Sequence, residues 1–110
     1  VNCVSHKPVV YISGPMTGLP EFNHPAFHRA ASQLRELGYH VLNPAAVVVE
    51  QQDWVTYMRA DIKLLMDADM VAVLPGWHKS RGARLEVGLA EALEIKVITI
   101  EKLIVGGETA

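Results

Sequence analysis

Val9-Val10-Tyr11-Ile12-Ser13, followed at once by Gly14-Pro15, is the most informative stretch of the chain. It is an unbroken β-prone run without polar alternation, which suits a strand covered on both faces, as in a parallel sheet. Three more runs read the same way. Tyr39 to Leu42 ends at Asn43-Pro44, Met70 to Leu74 closes at Pro75-Gly76, and Lys96 to Ile100 follows later. Helical patterns separate them. Phe27, Ala30, Ala31 and Leu34 stand at i, i+3, i+4 and i+7, opened by Asn23 as a side-chain cap with Pro25 in the first turn and closed by Gly38. Behind Asp53 as a second cap, Val55, Met58, Ile62 and Leu65 form a stripe. Behind the polar loop Trp77 to Gly82, Leu85, Leu89 and Leu93 form another. The order βαβαβαβ with right-handed crossovers predicts an α/β fold: a three-layer open parallel sheet of four to five strands with helices on both faces, flavodoxin- or Rossmann-like. With no repeat, low-complexity tract or linker, residues 1–110 read as a single domain. In such sheets ligands gather outside the carboxyl ends of the strands, near the point where strand order reverses.

Composition narrows the partners. Ten basic and 12 acidic side chains give a net charge of −2, which argues against a surface built to neutralise the phosphates of a nucleic-acid polymer. No stretch approaches the roughly 18 apolar residues of a membrane span, and a basic-then-apolar secretion pattern is missing from the N-terminus. Cys3 is the single cysteine, so an internal disulfide is excluded and a reducing compartment fits. The expectation is a cytoplasmic protein without membrane contact. Five scattered His show no metal-ligand spacing, so no metal is expected. Half of the residues are hydrophobic and 20% charged, against about 25% charged in an average soluble domain. Ala45-Ala46-Val47-Val48-Val49 and Leu103-Ile104-Val105 hold part of that apolar surplus. Either a subunit interface or an extra buried strand would absorb it.

Two strand ends carry chemistry-bearing residues. After the first run comes Ser13-Gly14-Pro15-Met16-Thr17-Gly18, whose glycines and hydroxyls let backbone N–H groups approach an anion or a sugar. It is neither G-x-G-x-x-G nor a G-K-[ST] loop, and a plain tight turn explains it equally well. After the third run comes His78-Lys79-Ser80-Arg81-Gly82-Ala83-Arg84-Leu85-Glu86. Ser80 and Gly82 fall at or just before a helix start, where free N–H groups favour an anion. Glu86 falls one turn further in, facing the same mouth; its plainer role is a carboxylate near a helix N-terminus. Asp61 lies mid-helix at the border of an apolar stripe, four residues after Tyr57, so it is either partly buried and functional or tilted to water. Asp67 and Asp69 read as turn or cap residues, although Asp69 could also face the site. His24 and His78 read as helix-start and surface residues within reach of the cleft rim. Two carboxylates beside such a cradle would suit glycosidic chemistry, one at the anomeric carbon and one at the leaving group.

Tyr11-Ile12-Ser13-Gly14, Asp61, Ala68-Asp69 and Ser80-x-Gly82-x-x-x-Glu86 resemble the nucleoside 2-deoxyribosyltransferase-like superfamily, which includes deoxyribosyltransferases and 2′-deoxynucleoside 5′-monophosphate N-glycosidases. Ile12 to Gly18, Phe22-Asn23-His24-Pro25-Ala26-Phe27, and Gly76-Trp77 with Ser80-x-Gly82-Ala83 resemble a mostly uncharacterised phage and prophage branch of it. The likeness spans about residues 9 to 100. It implies Glu86 as the nucleophile at C1′, Asp61 orienting the sugar or assisting the departing base, and Tyr11 positioning Glu86 or the sugar. It also implies that Ser13, Gly14, Met16, Thr17 and Gly18, with Ser80 and Gly82, hold the 5′ end of a nucleoside or nucleotide. No organic cofactor is needed, and a homodimer or higher homo-oligomer is implied. Two departures stand out. Where nucleotide-hydrolysing relatives place an arginine in the first loop, this chain has Met16 and Thr17, leaving Lys79 or Arg81 to supply the charge. Trp77 either stacks on a base or closes its loop onto the domain. A phosphoribohydrolase of the cytokinin-activating type is disfavoured because its contiguous Pro-Gly-Gly-x-Gly-Thr run is absent. A non-catalytic nucleotide-binding or protein-interaction module on the same fold stays open.

Overall fold

A computed structural model describes residues 8–106. Four parallel strands, β1 (Val9–Ser13), β2 (His40–Leu42), β3 (Met70–Val73) and β4 (Lys96–Thr99), pair in the order β2-β1-β3-β4. The central register runs from Val10 opposite Met70 to Ser13 opposite Val73. Helices α1 (His24–Glu36), α2 (Trp54–Leu65), α3 (Arg81–Ala92) and α4 (Ile100–Gly106) cover the faces. Strand order reverses between β1 and β3, so their carboxyl ends form the switch point where such sheets bind ligands.

The period of two along a strand sorts the layers. Val10 and Ile12 of β1, with Met70 and Ala72 of β3, pack against Phe27, Ala30, Ala31 and Leu34 of α1 and Ile100 and Leu103 of α4. Tyr11, with Val71 and Val73, packs against Leu65 of α2 and Val87 and Ala90 of α3. The three-layer parallel sheet is the architecture expected from the sequence, with four strands. Asp53 caps α2 as expected, its carboxylate accepting from the Thr56 N–H at 2.8 Å and the Thr56 hydroxyl at 3.0 Å. Gly38, at φ 95°, ends α1 in the left-handed region open to glycine.

Several local expectations are corrected. Asn23 precedes α1 with a positive φ of 60° and makes no side-chain cap; its Nδ2 instead donates to the Pro15 carbonyl at 3.0 Å, tying the helix start to the first loop. The α2 stripe is rotated: Val55 is exposed, Ile62 half-buried, and Met58, Asp61 and Leu65 face inward. The α3 stripe moves too. Leu85 and Leu93 are exposed, while Ala83, Glu86, Val87 and Ala90 face the sheet. Counting large apolar residues misses this face because two alanines let the helix approach closely and a hydrogen-bonded glutamate occupies the remaining place. Leu103-Ile104-Val105 belongs to α4 rather than to a strand, with Leu103 buried and Val105 exposed. Residues 44–46 form a short 3-10 turn and Val48 is exposed, so no fifth strand arises there either. The second strand starts at His40, and the third and fourth end one residue earlier than expected, at Val73 and Thr99. Cys3 lies outside the described residues.

Candidate active site

Three elements build the site. Ser80 opens α3 by accepting the Ala83 N–H on its hydroxyl at 3.1 Å. Glu86 then falls on the face turned toward β1, with 4% of its surface exposed. Tyr11 and Ser13 lie two apart on β1 and so point to the same side. The Tyr11 hydroxyl donates to Glu86 Oε2 and the Ser13 hydroxyl to Oε1, both at 2.7 Å. Such short O–H···O⁻ bonds hold a carboxylate by both oxygens, each of which keeps a further lone pair. Burial pushes the Glu86 carboxyl up to about 7, against the downward pull of the two hydroxyls. Burial, followed by the Glu86 charge, raises the Tyr11 phenol well above its ordinary value of 10.0, so it stays a donor.

Asp61 comes from α2. Trp54, Met58, Asp61 and Leu65 recur at helical spacing, so the Asp53 cap sets where the carboxyl points. Asp61 is 8% exposed, and its Oδ1 is buried with no hydrogen-bond partner. A buried, unsatisfied carboxyl oxygen costs free energy and calls for an explanation. Burial and then the nearby Glu86 charge raise Asp61 to about 7.

Both carboxyls line one cavity of about 370 Å³, at the small end of small-molecule sites. Gly14, Met16 and Thr17 of the first loop, and Gly82 at the start of α3, share its wall. Gly14 has a steric reason: a Cβ there would meet the Leu74 Cβ at 2.8 Å. Tyr11 and Ser13 are fully buried and reach Glu86 instead of the wall. Gly18 and Ser80 are not on the wall; Gly18 takes a left-handed turn and Ser80 is spent on its cap. His24 is on the wall, whereas the exposed His78 and half-buried Trp77 are not, and Trp77 packs against the Tyr11 side of the core. Asp69 accepts the Val9 N–H at 2.8 Å, at the amino ends of the strands and away from the cavity. Among the described residues, no group of three or more His, Cys, Asp or Glu is placed to hold a metal, and no helix is long and apolar enough to cross a membrane.

The family model described as "Domain of unknown function (DUF4406)" matches residues 8–99, all four strands included. The chain belongs to the DUF4406 family. No curated protein matches it. Among solved structures, this DUF4406 chain is similar to a 2-deoxyribosyltransferase from the psychrotolerant bacterium Bacillus psychrosaccharolyticus, with a TM-score of 0.63 and 21% identity over 82% of this chain and 70% of that one. It is also similar to a conserved protein from Enterococcus faecalis V583, with a TM-score of 0.64 and 20% identity over 86% of this chain. This chain spans 63% of that second protein's length. At these identities the likeness establishes a shared fold.

Sequence reasoning missed much of the wall that this DUF4406 domain builds. Trp54, Tyr57 and Met58 line the cavity beside Asp61, as do Phe22 and Phe27. The signal for the α2 group was present: positions 54, 57, 58 and 61 lie on one helical face. For Phe22 periodicity holds none, because residues 21–23 all take left-handed conformations without a glycine.

Proposed function

We propose that this DUF4406 domain cleaves or transfers the N-glycosidic bond of a (deoxy)nucleoside or its 5′-monophosphate. The observation that carries this reading is the buried Glu86 carboxylate, held by two hydroxyls, sharing a cavity with Asp61 and its unpartnered Oδ1. Likeness of fold to a 2-deoxyribosyltransferase supports it. Glu86, oriented by Tyr11 and Ser13, attacks C1′ as the C1′–N bond breaks, giving a glycosyl ester and a base that leaves with the bonding electron pair. Protonated Asp61 supplies a proton to that base. Water or a second base then attacks C1′, gives up a proton to Asp61 and frees Glu86. The chemistry needs one anionic and one protonated carboxyl. Two acids raised to about 7 in one cavity, with the Glu86 charge opposing the ionisation of Asp61, provide that state near neutrality.

The test is chromatography of free base released from a panel of deoxynucleosides and their monophosphates. Turnover should appear with wild type and fall at least about 1,000-fold in Glu86→Gln, since a buried nucleophile has no substitute. Undiminished turnover in a correctly folded Glu86→Gln protein would exclude this mechanism.

A further inference from the structure

The charges around the cavity narrow the substrate class, on the reading just given. Among the described residues, the wall carries three acidic side chains, Asp53, Asp61 and Glu86, and no lysine or arginine. Asp53 is a fixed negative charge: its hydrogen bonds from Thr56 hold its carboxyl below the ordinary value of 3.8. The remaining wall is largely apolar, with Phe22, Trp54 and Tyr57 offering flat rings to a planar base.

Two arginines in the first turn of α3 have partners of their own. The Arg81 guanidinium stacks 3.7 Å from the Trp54 ring centroid, and Arg81 is not one of the wall residues. Arg84 Nη1 donates to the His78 carbonyl at 3.1 Å. At the start of α3, the Ala83 N–H is already taken by the Ser80 hydroxyl, which removes one donor an anion would use. A phosphomonoester brings a charge of about −1.5 to −2 at neutral pH. It would share the cavity with Asp53, with no wall arginine or lysine to meet it.

We propose that the cavity takes an uncharged nucleoside with a free 5′-hydroxyl and discriminates against the 5′-monophosphate. The experiment compares kcat/KM for the four common deoxynucleosides with kcat/KM for their own monophosphates, at matched low ionic strength where charge effects are least screened. Each nucleoside that reacts should exceed its monophosphate by at least about tenfold. Asp53→Asn, which keeps a capping side chain, should narrow that ratio. Thr17→Arg, placing a cation on the first-loop wall, should narrow it further by raising monophosphate turnover. Circular dichroism would verify that both variants fold. Monophosphates used as well as or better than nucleosides by wild type would overturn the inference and leave the glycosyl reading standing. So would a ratio that neither charge change moves. Release of base from neither class would overturn both.

Discussion

The two helical layers rest on the same strands and use them in opposite ways. On the α1/α4 side, every buried side chain contributed by sheet and helices is apolar, from Val10 and Ile12 to Phe27, Leu34 and Leu103. On the α2/α3 side, the next residues of the same strand are Tyr11 and Ser13, and the helices place Asp61 and Glu86 among their buried positions. The difference shows how a small domain confines its buried acids to one side of the sheet. One layer gains free energy by burying hydrocarbon alone; the other also accepts buried carboxyls, which are costly in stability.

The comparison breaks most sharply under truncation. Phe27→Ala should destabilise by about 3–5 kcal/mol, through lost transfer energy and the cavity left behind. Chemical denaturation would show this as a lower midpoint with an unchanged slope. If Phe27→Ala proves as mild as a surface change, the apolar layer does not carry the fold.

Asp61→Asn should act in the opposite direction. The Asp61 and Glu86 carboxyls rise from 3.8 and 4.5 to about 7 on folding, so the native state holds protons that the unfolded chain releases. Their favourable contribution is complete below about pH 4 and is lost as pH rises through 7. Thermal stability should therefore fall from pH 5 to pH 8 in wild type and fall less in Asp61→Asn. At pH 8 the variant should be more stable by on the order of 2 kcal/mol, the free energy of protonation it no longer forgoes. A wild-type melting temperature that climbs over that range would contradict the burial of this pair.

A smaller effect is expected at Tyr11. Tyr11→Phe keeps the ring and removes one of the two donors on Glu86. Turnover should drop about tenfold, the scale of one hydrogen bond to a charged group. The acid limb of the pH–rate profile should also move to higher pH, because Glu86 loses a group favouring its anion. A loss of rate without that movement would reduce Tyr11 to packing. The mildest change lies at the end of α3, where Glu94 adopts φ 61° in the place where Gly38 closes α1. Glu94→Gly should raise stability by about 0.5–1 kcal/mol, visible as a small upward shift in melting temperature.

How much of this was legible in the residues follows the same division. The α1 stripe and the apolar strands could be read directly, because a layer that buries only hydrocarbon carries the plain periods of 3.6 and 2. In α2 the expected Met58 and Leu65 are buried but Val55 is not, and in α3 the expected stripe falls toward the exposed Leu85 and Leu93, because the buried faces there contain Asp61, Glu86 and two alanines. Glu86 still stands out from its place after the third strand, Asp61 from the border of an apolar stripe, and Tyr11 from a family likeness. The pairing of Ser13 with Glu86 does not, since contacts 73 residues apart depend on helix rotation that periodicity does not specify. The aromatic wall from Phe22 was hidden by a left-handed turn that glycine-based rules do not anticipate.

Strand β1 interleaves core side chains with the hydroxyls that grip Glu86. Sliding this segment by a single residue would send Tyr11 and Ser13 into the greasy side and leave the carboxylate empty-handed. Assembly and armament are thus one event: a molecule cannot settle β1 correctly without also aiming its acid. Insertions or deletions within residues 9–13 would accordingly eliminate folded protein altogether, rather than leave behind an intact but idle shell.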